Sequence, residues 1–160
     1  MLLALDLGTK CGWATNSNAG IAHGMQEFKN DRFSGGGMRF LKFEKWLMEL
    51  PQPTQVVFEE VRRHAATDAA HVYGGLMAVV TKWCEANKIP YQGVPVGTIK
   101  KFWTGKGNGK KDVMIAEAKK RGYKDVDDDN EADALALLHY WLKEGTVEKP
   151  NRCDLDDMLN

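Results

Sequence analysis

The chain has little cysteine and no pattern in what it has. Cys11, Cys84 and Cys153 are odd in number and widely spaced, with no C-x-x-C pair. That argues against a disulfide framework or a zinc–thiolate site, and for reduced thiols in a cytoplasm-like compartment. No apolar run reaches about 18 residues, so no membrane-spanning helix is expected. The apolar opening is broken at Asp6 and has no basic flank, which argues against a signal peptide. A G-x-x-x-x-G-K-[ST] phosphate loop is missing, and so is any internal repeat. Net charge is missing too, because 22 basic residues cancel 22 acidic ones.

What remains is an ordinary single-domain composition with a lopsided charge distribution. At 160 residues, 43% apolar and 28% charged, the chain is long enough for one sizeable core. Lys100 to Lys124 holds nine basic and two acidic residues, a local charge of +7. Asp125 to Asn160 holds eleven acids and three bases, a local charge of −8. A basic block beside an acidic block points to a polyanion met by one and cations held by the other.

Leu2 to Leu7 reads as a strand apolar on both faces, with Asp6 near its end on the side of Leu2 and Ala4. Gly12 to Thr15 and Ile21 to Phe28 follow across short turns, completing an antiparallel meander. Asn30 to Leu50 is helical in pattern, with a start near Met38 and a stop at Pro51. Gln55 to Val61 is a second buried strand ending in acids. Alternation puts Glu59 with Val57 and Val61, and Glu60 with Val56 and Phe58. A strand reached through a helix after a meander is expected to add in parallel. Thr67 to Asn87 is a long helix whose Gly74-Gly75 pair suits a close backbone approach, to another helix, a second subunit or DNA. Ile89 to Val94 is a short edge strand. Pro95 to Lys111, a loop or short helix, carries Lys100, Lys101, Lys106, Lys110 and Lys111 with Phe102 and Trp103 among them, a combination suited to nucleic acid. Asp112 to Arg121 is a helix with Asp112 as its N-cap. A last helix runs from Asn130 to Lys143, with Asn130 as N-cap and Asp133 reaching back. Residues 146–160 form an acidic tail.

Asp127 to Asp133 places five carboxylates in seven residues, directly ahead of an apolar helix. A helix dipole favours such acids by roughly 0.3–1 kcal/mol each. Pressing them toward a core costs several times more per unpaired charge, unless cations neutralise them. Asp6, Glu59 and Asp133 could converge beside one sheet, where carboxylates bind hard divalent ions such as Mg²⁺ or Mn²⁺.

Leu5-Asp6-Leu7-Gly8-Thr9-Lys10, Val57-Phe58-Glu59-Glu60-Val61, the lysines from Ile99 to Lys111, and Asn130-Glu131-Ala132-Asp133-Ala134-Leu135 occur in an order that resembles the RuvC family of Holliday junction resolvases. The likeness, to the short phage-type members of this ribonuclease H-like superfamily, covers residues 1–143. It implies an α/β domain over residues 1–145: a mixed five-stranded sheet, three strands antiparallel then two parallel, flanked by helices. It implies a nuclease in a bacterial or phage-infected cytoplasm that resolves four-way DNA junctions as a homodimer, with two Mg²⁺ or Mn²⁺ ions per site; helix 67–87, with Gly74-Gly75, is the candidate dimer face. Asp6, Glu59 and Asp133 fall on the family's catalytic and metal-binding acids. Asn130 falls where the family has a fourth, with Asp129 and Glu131 as its alternates, and Glu60 is the alternate to Glu59. Lys100 or Lys101, and Lys110 or Lys111, fall on the family's DNA-contacting lysines. Lys106, Arg62 and Arg63 extend the basic surface, with Arg62 where the family has a junction-probing aromatic. Rival readings are a broader fork or flap nuclease, a non-catalytic junction-binding module, and a fragment of an actin-like or sugar-kinase nucleotide-binding domain.

Overall fold

The computed structural model describes residues 1–62 and 66–145. Arg63 and the tail at 146–160 lie outside the described residues. Three antiparallel strands open the chain: β1 (Leu2–Asp6), β2 (Lys10–Ser17) and β3 (Gly20–Glu27). Helix α1 (Met38–Glu49) leads to β4 (Gln55–Glu60), and α2 (Thr67–Ala86) leads to β5 (Tyr91–Pro95). Three helices close the described chain: α3 (Val96–Thr104), α4 (Lys111–Lys120) and α5 (Asp129–Glu144).

The sheet order is β3-β2-β1-β4-β5. Strand β1 pairs antiparallel with β2 and parallel with β4, and β5 adds parallel at the edge. The expected architecture is therefore the observed one. Alternation along β1 and β4 splits the core between two faces. Leu3, Leu5, Val56 and Phe58 meet Phe43 and Leu47 of α1 and Leu76 and Val80 of α2. Leu2, Ala4 and Val57 meet Leu135 and Leu138 of α5. Covered on both sides, β1 has no room for a polar residue until Asp6, at its end.

Several local expectations are corrected. Asp128 caps α5, not Asn130; its side chain accepts from the backbone N–H groups of Asn130 and Glu131. With consecutive acids available, the cap falls on the one whose extended backbone opens the helix. Asp112 lies in the first turn of α4, and Lys110 occupies the cap position without a side-chain bond. The stretch from Pro95 is helical through Thr104 and ends at Gly105, whose φ of 78° suits glycine. Trp103 is core: its indole N–H donates to the Met114 carbonyl, and its ring lies under Arg121. Phe102 packs edge-on against Tyr140. Both rings serve packing within the chain, Trp103 fully and Phe102 in part. In the glycine pair, a Cβ on Gly75 would strike the Phe40 ring at 2.3 Å, whereas one on Gly74 would meet nothing within 4 Å. Gly75 thus serves close packing within the chain. Among the described residues no helix is long and apolar enough to cross a membrane.

Candidate active site

Three carboxylates meet at the ends of the two central strands. Asp6 closes β1, Glu59 lies near the end of β4, and Asp133 lies in the second turn of α5. One oxygen from each falls within 4.8 Å of the others. Parallel pairing of β1 with β4 brings the first two together. The third depends on how closely α5 can approach. Gly12, the cross-strand partner of Asp6, allows it: a Cβ there would sit 1.8 Å from the Asn130 main-chain oxygen. The start of α5 thus rests directly on β2, and small residues (Ala4, Ala14, Ala132, Ala136) continue that seam.

Parity settles the choice between the adjacent glutamates. Glu59 faces α5 and is 6% exposed. Glu60 points the other way and lies 3.5 Å from the exposed Arg62. Tyr73 of α2 anchors this end of β4, its hydroxyl donating to the Glu59 carbonyl at 2.9 Å and accepting from the Val61 N–H. Sequence reading missed Tyr73, because a tyrosine in an apolar helical stripe looks like packing.

The cluster is electrostatically strained. Burial, and then the charge of Glu59, push the Asp6 carboxyl well above the carboxylate range. Burial and Glu59 also push Asp133 up to about 7, against the pull of Lys100 and Lys111. Asp133 Oδ1 is buried and has no hydrogen-bond partner among the described residues. Clustered hard oxygen donors, one of them unpartnered, fit a divalent cation of the Mg²⁺ class. Beneath the site, burial and the Asp6 charge push the Cys11 thiol up, leaving it inert.

The remaining residues of the acidic run diverge. Asp128 is the cap. Asn130 donates its side-chain amide back to Asp128 Oδ1 at 2.9 Å. Glu131 turns to β3 and meets His23 Nδ1 at 2.6 Å. Asp129 pairs with Lys111 Nζ at 2.7 Å. Among the basic candidates, Lys101, Lys106, Lys110, Lys111 and Arg62 are exposed, and Lys100 is half-buried.

No protein-family model and no curated protein sequence matches the chain. Solved structures do match. The RuvC structure of Thermus thermophilus aligns with a TM-score of 0.69 and 17% identity, over 91% of this chain and 96% of that one. The T. thermophilus RuvC complex with a Holliday junction substrate aligns at 0.64 and 17% identity, over 85% and 88%. The yeast mitochondrial Holliday junction resolvase Ydc2 aligns at 0.61 and 12% identity, over 89% and 77%. The fold of this chain is therefore the ribonuclease H-like fold of the RuvC resolvases.

Proposed function

We propose that this protein is a divalent-metal-dependent endonuclease that resolves four-way DNA junctions. The observation that carries the reading is the meeting of Asp6, Glu59 and Asp133 within 4.8 Å at the ends of adjacent parallel strands. The resemblance in motif order and the fold shared with RuvC and Ydc2 support strand cleavage as the reaction and a four-way junction as the substrate.

In this reading Asp6, Glu59 and Asp133 hold Mg²⁺ or Mn²⁺, two ions when the site is filled. Bound there, the ions supply an activated water and neutralise charge on the scissile phosphate. The protein's own part is positional. The end of β4, tied by Tyr73, keeps Glu59 facing Asp6. The packing of α5 on Gly12 keeps Asp133 over both. Lys100, Lys101, Lys106, Lys110 and Lys111, with Arg62, form the phosphate-binding surface. Two subunits joined through α2 set two such sites on strands of like polarity, so that paired nicks leave ligatable ends.

The test is cleavage of a synthetic four-way junction with Mg²⁺ or Mn²⁺, beside fork and flap substrates. Symmetric paired nicking of the junction is expected, with a loss of at least 100-fold in the Asp6→Asn protein. Equal cleavage by Asp6→Asn overturns the assignment. Preference for forks or flaps replaces it with the broader nuclease, and tight junction binding with no cutting under either ion replaces it with a binding module.

A further inference from the structure

The first turn of α5 holds a carboxylate whose role is still open. Asp128 is occupied as the cap, accepting from Asn130 N at 2.9 Å and Glu131 N at 3.3 Å. Glu131 is occupied by His23, on the far side. Asn130 carries no charge, and its amide is tied back to Asp128. Asp129 differs from all of these. It lies one turn before Asp133, so the two share a helix face. Its side chain is 23% exposed, yet its partner Lys111 is 81% exposed. The Asp129 charge is felt by both Asp6 and Asp133. An ion pair with so exposed a lysine is weak, because water and salt screen it, so exchanging it is easy.

Resting on the metal-nuclease reading above, we propose that Asp129, not Asn130, supplies the fourth carboxylate of the metal site, and that Lys111 holds it in reserve until a DNA phosphate draws the lysine away. The pair is then a latch between the basic surface and the acidic cluster. DNA arriving at Lys111 frees an oxygen donor for the metal. By reciprocity, metal on Asp129 frees Lys111 for DNA.

The test is Mn²⁺ binding to the full chain without DNA, read from the electron paramagnetic resonance signal of free Mn²⁺. Asn130→Ala is expected to bind within twofold of wild type, and Asp129→Asn about tenfold more weakly. Lys111→Met is expected to bind several-fold more tightly, a gain that misfolding cannot produce. That gain should vanish in the Asp129→Asn background. If it persists there undiminished, Lys111 acts only through its general field and the latch is overturned. If Asp129→Asn matches wild type, or Asn130→Ala is the weaker of the two, the Asp129 assignment falls while the metal site stands. A wild-type protein that binds no Mn²⁺ overturns the metal reading and this inference together.

Discussion

The main chain of Asn130 fills the space where a side chain on Gly12 would begin: a Cβ on the glycine would lie 1.8 Å from the Asn130 oxygen and 2.2 Å from its carbonyl carbon. Backbone is what it would strike, and backbone cannot rotate away as a side-chain tip can. Gly12 is also the register partner of Asp6. One glycine therefore sets the distance between the strand acid and the helix acid. Gly12→Ala is expected to destabilise the fold by about 3 kcal/mol, the upper end of the overpacking range. A refolded Gly12→Ala protein is expected to lose Mn²⁺ affinity. Urea unfolding gives the first quantity, and an unchanged midpoint would refute it.

The strained carboxyls make stability depend on pH with an unusual sign. Asp133 is raised from an ordinary 3.8 to about 7, and Asp6 moves in the same direction. The folded state therefore keeps protons that the unfolded chain releases. This stabilisation is complete below about pH 4 and is lost as pH rises through about 7. Three units correspond to something on the order of 4 kcal/mol. In EDTA, wild type is expected to be less stable at pH 8 than at pH 5, and Asp133→Asn to flatten that dependence. Mg²⁺ or Mn²⁺ should restore the loss at pH 8 by binding the charged form. Urea midpoints across pH check this, and a rise in wild-type stability from pH 5 to 8 in EDTA would contradict it.

Trp103 and the lysines beside it are expected to separate cleanly. Trp103 is 2% exposed and donates to the Met114 carbonyl. Trp103→Phe removes the indole bond to the Met114 carbonyl and leaves a small cavity in the core, and is expected to cost about 1–3 kcal/mol of stability, with the DNA affinity of the folded protein unchanged. Lys101→Gln and Lys106→Gln should do the opposite. Each is expected to leave the urea midpoint in place and to lower the slope of log affinity against log salt by about 1 for each phosphate no longer neutralised. A steep fall in junction affinity in folded Trp103→Phe would return that ring to the DNA surface.

Gly74 offers a test of the proposed dimer face. A Cβ there meets nothing within 4 Å inside the chain, while the neighbouring Gly75 is closed by Phe40. Gly74→Arg is therefore expected to leave the subunit folded and to shift the protein from dimer to monomer in sedimentation. An unshifted dimer would move the interface off α2.

The two strand acids are legible in the sequence because each breaks a pattern. Asp6 interrupts an apolar run, and Glu59 sits at the odd-numbered positions that share Val57's face, which period-2 alternation carries into three dimensions. Asp133 is legible because its helix is too apolar to be exposed. The cap is not legible, since Asp128, Asp129 and Asn130 are all good cap residues and local propensity does not rank them. The role of the basic block's aromatics is hidden for a related reason. A tryptophan among lysines looks like a base-stacking platform until α4 and α5 are known to close over it.

Periodicity and composition alone placed the strands and most of the helices and made Asp6, Glu59 and Asp133 candidates for one site, because the pleat and the helical repeat act locally; the mixed five-stranded sheet was what the family resemblance implied. Tertiary structure alone decided which acids of the run share the site. Glu131 turns to His23, Asp128 caps the helix, and Asp129 pairs with Lys111, the pair that the proposed latch opens. Those partners lie on β3, on the main chain of α5 and on α4, and the docking of α5 onto Gly12 is what brings this helix to the strand acids.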